Sequence, residues 1–165
     1  MKLDFTSLSV PKQVALVSGA LALVLSFISS YVRVSYSGGG PVRGMSVGTN
    51  AWTSYATLGM LLLVAAIVVV GLLCFASEVL PAGVPWNLAA LAAGAVGTVL
   101  VILRALTVGG GGFGVSVGPG WSGWLLFVAT VAFTASVALM TKASGEKPSD
   151  FRTDDQPPTS ATDVA

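Results

Sequence analysis

Histidine is absent from this 165-residue chain, and cysteine occurs once, as Cys74. A Ser–His catalytic set, a paired-cysteine oxidoreductase and a structural zinc site all need residues that the sequence lacks. Charge is scarce too, since only 9% of residues are charged and the net charge is +1, which provides no basic stripe for nucleic acid. We therefore expect no enzymatic activity, no metal, no cofactor and no nucleic-acid partner.

The sequence contains four long apolar runs that are almost free of charged residues. The hydrophobic fraction is 54%, and a bilayer core needs about 20 helical residues to cross it. The first run is too long for the apolar part of a signal peptide and no A-x-A site follows it, so we interpret it as an uncleaved anchor. The fold class is therefore an all-α polytopic membrane protein with four transmembrane helices. The predicted spans are 13–32, 56–76, 86–105 and 124–141, within a transmembrane domain at 13–141.

The distribution of basic residues predicts the topology. Four spans put both termini on one side, where five lysines and arginines lie against three on the other side. The positive-inside rule then favours cytoplasmic termini in the cell membrane. The two groups are Lys2, Lys12, Lys142, Lys147 and Arg152 against Arg33, Arg43 and Arg104. The resulting segments are a cytoplasmic stretch at 1–12, external loops at 33–51 and 106–121, and a disordered cytoplasmic tail at 142–165.

One short phrase occurs twice, as GMSVGTNAWTSY at 44–55 and as GVSVGPGWSGW at 114–124. Each copy carries G-x-S-V-G, then a tryptophan just before a span. We interpret the copies as parts of two repeated helix–loop–helix hairpins related by a pseudo-two-fold axis; the alternative is a chance match between loops rich in Gly, Val and Ser. The residues expected to have structural and partner-contact roles are Gly44, Ser46, Gly48, Trp52, Gly114, Ser116, Gly118 and Trp121.

The external loops show a strand pattern. VRVSYS at 32–37 and FGVSVG at 113–118 alternate apolar with polar or small residues between glycine turns, which is typical of short strands. An isolated hairpin is marginal in water, so we expect the two loops to pair into a small external β-sheet that caps the helices. The alternative is a pair of flexible glycine loops.

Small residues recur every four positions in the first and third spans. Such stripes let helix backbones approach closely in lipid, so we expect these two spans to cross near the pseudo-axis. The alternative is that a stripe mediates homo-oligomerisation. The residues concerned are Ser18, Ala22, Ser26 and Ser30 in the first span, and the pairs Ala90–Gly94 and Ala93–Gly97 in the third.

The stretches DFTSLSVPKQVALVSGALALVLSF and AWTSYATLGMLLLVAA, with the glycine-rich loop between them, resemble uncharacterised four-span membrane proteins of actinobacteria. The likeness covers the chain up to about Lys142, although SSYVRV stands where members often have a Pro-Trp pair. It implies a four-span fold and no transferable activity. A bundle capped by an external sheet is also similar in shape to claudin-type tetraspans, whose tryptophan–cysteine signature is missing here.

The spans contain no Asp, Glu, Lys or His, which argues against ion-coupled transport. We therefore expect an accessory, scaffold or envelope-associated subunit that binds a membrane protein partner or forms a homo-oligomer. The alternative is a small oligomeric channel or holin-like pore, with Arg33, Arg43 and Arg104 around its mouth. A third alternative is a protein that binds lipid between its helices. The pore would use the polar residues of the fourth span, Thr130, Thr134, Ser136 and Thr141.

Overall fold

The computed structural model describes residues 7–37, 45–109 and 114–149. Most of the described chain is helical, and three short strands form one sheet. In chain order the elements are α1 (Val10–Ser26), β1 (Val32–Tyr36), β2 (Ser46–Thr49), α2 (Ala56–Phe75), a 3₁₀ helix (Ser77–Val79), α3 (Trp86–Thr107), β3 (Val115–Pro119) and α4 (Trp121–Ser144).

Proline and glycine mark the ends of the helices. Pro11 lies in the first turn of α1, and Pro85 is the residue before α3. These positions suit proline because the first backbone N–H groups of a helix have no intrahelical acceptor. α4 is followed by Gly145, whose φ of 75° is the left-handed conformation that commonly terminates a helix.

Three of the helices are long and apolar enough to cross a membrane. They are α2 with 20 residues, α3 with 22 and α4 with 24. α1 is also apolar but has only 17 residues. The surface of the bundle is correspondingly apolar, with exposed valine and leucine side chains on all four helices.

The first helix ends earlier than the predicted span at 13–32. α1 stops at Ser26. The backbone N–H of Phe27 donates to the carbonyl oxygen of Val24, three residues back, as in the 3₁₀ turn that often ends a helix. Residues 27–31 then turn into β1, with Tyr31 completely buried. Ile28 and Tyr31 of this turn pack against the core and Phe27 is exposed, yet all three are apolar, so hydropathy alone could not separate them from the helix. At the other helix ends the differences from the predicted spans are three residues or fewer.

The four helices form a closed ring in which α1 and α3 are diagonal to one another. Each of them packs against α2 and α4, so the predicted crossing of the first and third spans is wrong. Phe133 of α4 gives the physical reason. A Cβ built on Gly19 of α1 and one built on Gly94 of α3 would each lie 3.3 Å from opposite corners of the Phe133 ring. The small residues therefore accommodate a phenyl ring between the two helices.

The close helix crossing lies between α2 and α3. A Cβ on Gly97 would be 2.7 Å from the Gly59 carbonyl oxygen, and a Cβ on Gly59 would be 2.9 Å from that of Gly97. Of the residues predicted to pack helices, Ala93 is partly buried and the rest are buried: Ser18, Ala22, Ser26, Ser30, Ala90, Gly94 and Gly97.

The predicted small β-sheet is confirmed. Its order is β2-β1-β3, and both neighbours are antiparallel to β1. The sheet joins the C-terminal ends of α1 and α3 to the N-terminal ends of α2 and α4. We call this the sheet end of the bundle, and we call the opposite end, where α1 begins and α4 stops, the terminal end.

Candidate functional site: a polar face on the capping sheet

The two copies of the repeated phrase flank β1 in the same register. Ser35 is opposite Ser46 on one side and Ser116 on the other, and Arg33 is opposite Gly48 and Gly118 in the same way. The phrase therefore occurs twice because the same short strand is used twice, once along each edge of β1.

Alternation along the strands separates an apolar from a polar face. Val32 is 3% exposed and Val117 packs against the core, so the valine side faces the bundle along β1 and β3, whereas Val47 on the edge strand β2 is 56% exposed. Arg33, Ser46 and Ser116 are exposed, and Ser35 is half-buried between the two serines. We call the second side the polar sheet face, and it consists of Arg33, Ser35, Ser46, Gly48, Ser116 and Gly118.

The two glycines of the polar sheet face have different surroundings. A Cβ at Gly48 would clash with the carbonyl oxygen of Ser29, whereas a Cβ at Gly118 would meet nothing within 4 Å. Gly48 thus lets the turn after α1 lie directly on β2. Gly118 leaves the space beside Arg33 open on the β3 side.

The two tryptophans of the repeat do not have the same role. Trp52 stacks on Phe27 with ring centroids 5.5 Å apart, and its Nε1 donates to Ser26 Oγ at 3.1 Å. It therefore attaches the chain after β2 to the end of α1. Trp121 begins α4 and is 54% exposed, so its ring is available for contact with lipid or another protein.

Gly114 lies at the start of β3, and its φ of 76° is a left-handed conformation that suits glycine. Its carbonyl accepts from the backbone N of Ser37 at 2.6 Å and from Ser37 Oγ at 3.2 Å, which extends the β1–β3 pairing by one step. Gly44 is outside the described residues.

Beneath the sheet, aromatic and polar side chains attach it to α3. The Tyr31 hydroxyl donates to the Val101 carbonyl oxygen. Burial raises the pKa of the Tyr31 hydroxyl, against a smaller lowering by Arg104, so this hydroxyl remains a donor. The Arg104 guanidinium lies 5.6 Å from the centre of the Tyr55 ring, and the Tyr55 hydroxyl is 2.5 Å from Thr107 Oγ1. Arg104 is therefore held against α2 rather than exposed around an opening.

The charged side chains described at the sheet end are all positive. Arg33 and Arg104 are the ionised side chains there among the described residues, and between residues 5 and 145 the sequence has one acidic residue, Glu78, at the terminal end. No cluster of His, Cys, Asp or Glu that could hold a metal occurs within the described ranges. The site can therefore offer a cation and hydroxyl groups to a ligand, but no acid–base pair.

Neither a protein-family model, nor a curated protein, nor a solved structure matches this chain. The site is thus interpreted from its own residues, and the resemblance to four-span actinobacterial proteins stays a prediction. Arg33 and Ser35, at the centre of the polar sheet face, were not among the residues predicted to have structural and partner-contact roles. The signal that places them there is the alternation of VRVSYS, which puts both on the side opposite Val32 and Val34.

Proposed function

We propose that this chain is a non-enzymatic integral membrane protein, an accessory or scaffold subunit, whose polar sheet face binds a partner protein outside the cell membrane. One observation carries the proposal. A bundle with an apolar exterior presents, at one end, an ordered sheet whose polar face carries an arginine and three serines. Such a surface needs a polar environment, and its fixed register gives a partner a defined pattern to recognise.

The proposal includes α1 as a fourth span. Its 17 residues correspond to a length of roughly 26 Å, the lower end of what crosses a bilayer. Two features support it. α1 occupies one position of the closed ring, packed between two helices of membrane-spanning length, and its exposed side chains include Val14, Val17, Leu21 and Val24.

The orientation follows from four spans. Both termini then lie in the cytoplasm with Lys12 and Lys142, and the sheet end lies outside with Arg33 and Arg104, according to the positive-inside rule. Aromatic side chains support the depth of the bundle in the membrane at either end, because Trp52, Tyr55 and Trp121 lie where helices meet the sheet and Trp86 begins α3 at the terminal end. Tryptophan and tyrosine favour that depth of a membrane.

The charge of the sheet end indicates the chemistry of the partner. An exposed arginine with no carboxylate nearby in the described ranges favours a partner surface with acidic and hydrogen-bonding groups, since electrostatic complementarity speeds association and fixes orientation. The serines in line with Ser35 can donate to and accept from the same surface.

The test is crosslinking in intact cells, followed by purification of the tagged full-length protein in mild detergent. Arg33→Glu reverses the charge at the centre of the polar sheet face, and Lys142→Glu makes the same change at the terminal end. We expect a stoichiometric partner, crosslinked through the strands, with the wild type and Lys142→Glu but not with Arg33→Glu. A homo-oligomer without another protein, or equal loss in both variants, would contradict the proposal.

The alternative of an oligomeric pore has less support from the described residues. Thr130, Ser136 and Thr141 are buried and donate to carbonyls of their own helix, at 3.1, 2.8 and 3.0 Å. Thr134 Oγ1 lies 3.0 Å from Thr98 Oγ1 between α3 and α4. These hydroxyl groups have partners inside the bundle, so they offer little to a water-filled channel. Conductance of the purified protein in planar bilayers tests this alternative directly.

A further inference from the structure

A cavity of about 280 Å³ lies at the terminal end of the bundle, where all four helices contribute to its wall. Its lining combines one basic side chain, polar groups and apolar side chains. Lys12 comes from the first turns of α1, and Asn87 from the start of α3. Around them the wall includes Ser9, Leu73, Met140 and Ser144.

Lys12 has no carboxylate partner within residues 7–37, 45–109 and 114–149. Two carboxylates occur in those ranges, and neither neutralises it. Glu146 accepts from Asn87 Nδ2 at 2.6 Å and from the backbone N of Leu88 at 3.0 Å, so it caps α3. Glu78 is exposed in the 3₁₀ helix. Lys12 is therefore a half-buried residue whose ammonium group has no counter-charge among the described residues.

An apolar groove begins one residue further along the chain. It lies between α1 and α4, has a volume of about 400 Å³, and is bounded from Gln13 to Leu21 on α1 and from Leu125 to Ala132 on α4. Val14, Val17, Leu125 and Val128 form its walls. A groove on the side of a membrane bundle is filled by hydrocarbon, because a void there would forfeit dispersion contacts.

We propose that the terminal end binds an anionic phospholipid, with its phosphate head group at Lys12 and one acyl chain in the α1–α4 groove. The inference rests on the proposed membrane placement. Lys12, which has no carboxylate partner in the described ranges, selects negative charge, and the groove whose lining starts at the next residue of α1 suits a chain. Basic pockets between helices at the cytoplasmic face are where anionic lipid head groups bind in general.

Native mass spectrometry of the full-length protein tests this. The protein is released from vesicles of phosphatidylglycerol and phosphatidylcholine in equal amounts, and the lipid that stays bound is identified. We expect one phosphatidylglycerol bound per chain in preference to phosphatidylcholine. The ratio of bound phosphatidylglycerol to bound phosphatidylcholine should fall about fivefold in Lys12→Gln and stay unchanged in Lys12→Arg. Lys142→Gln removes the same charge from the same end but outside the cavity, so it should keep the preference.

A second pair of variants tests the groove. Ala132→Phe fills the α1–α4 groove, whereas Ala135→Phe adds the same bulk on α4 outside it. We expect Ala132→Phe alone to reduce retention of both lipids, with thermal midpoints measured to confirm that each variant is folded. Equal loss in Lys12→Gln and Lys142→Gln would overturn the inference, as would lipid retention unaffected by Ala132→Phe. Absence of the protein from the membrane fraction would instead contradict the proposed function.

Discussion

Gly48 and Gly118 occupy the same position of the repeated phrase and are both opposite Arg33, yet only Gly48 lies under another segment of the chain. A side chain at Gly48 would meet the carbonyl oxygen of Ser29, whereas Gly118 has open space around it. The two copies of the repeat therefore share a strand register while their packing differs.

Gly48→Ala and Gly118→Ala form a matched pair from this relationship. We expect Gly48→Ala to lower the free energy of unfolding by about 1–3 kcal/mol, because the added methyl group must displace a backbone carbonyl. Gly118→Ala should change it by about 0.5 kcal/mol or less. Thermal unfolding in detergent, followed by tryptophan fluorescence, measures both, and equal midpoints would contradict the packing of the Ser29 turn on β2.

The crossing of α2 and α3 gives a second prediction. Gly97→Ala places a methyl group 2.7 Å from the Gly59 carbonyl oxygen, so the helices must separate, at a cost of about 1–3 kcal/mol. Gly71 lies on α2, the same helix as Gly59, and a Cβ built there would have nothing within 4 Å. Gly71→Ala should therefore be neutral or stabilising, because alanine is a better helix former. Denaturation in mixed micelles ranks the two, and a stable Gly97→Ala protein would argue against the close crossing.

Phe133 separates α1 from α3, and it is 1% exposed. Phe133→Ala should destabilise the protein more than any of the glycine substitutions above, by about 3–5 kcal/mol, because it leaves a cavity between Gly19 and Gly94. Leu139→Ala on the same helix is the control, since Leu139 is exposed. Resistance to proteolysis in detergent reports the difference. If both variants resist equally, the ring does not fill the centre of the bundle.

The hydroxyl of Tyr31 connects the turn before β1 to α3. Tyr31→Phe removes its hydrogen bond to Val101 and should cost about 1 kcal/mol of stability. Tyr55→Phe removes an exposed hydroxyl contact with Thr107, so we expect a smaller effect. Hydrogen exchange of the β1 amides should be faster in Tyr31→Phe only. Faster exchange in Tyr55→Phe than in Tyr31→Phe would contradict this, because it would mean that the Tyr55 hydroxyl contributes more to holding β1 on α3.

Composition and patterning were enough to predict the helices, the small sheet and the strands β1 and β3. Hydropathy marks helices such as α2, and VRVSYS alternates as a strand does. The repeat offset of 70 residues in G-x-S-V-G matches the register in which Ser46 and Ser116 flank Ser35. These features are local or periodic, so a single sequence contains them.

The remaining features depend on contacts that no local pattern encodes. α1 ends at Ser26 although Phe27, Ile28 and Tyr31 continue the apolar run, and hydropathy scores turn and helix alike. The diagonal arrangement of α1 and α3 depends on one ring, Phe133, reaching both Gly19 and Gly94. The different roles of Trp52 and Trp121 follow from the nearness of Phe27 and Ser26 to the first only.

The most direct test of the account is the location of the sheet end relative to the membrane. In a Cys74→Ala background, single cysteines are introduced by Ser46→Cys, Ser116→Cys and Ser144→Cys, all at exposed positions, and intact cells are treated with a membrane-impermeant maleimide. We predict labelling at positions 46 and 116 in intact cells, and at 144 only after permeabilisation. Labelling at 144 alone in intact cells, or sheet positions that stay protected, would contradict an external sheet end.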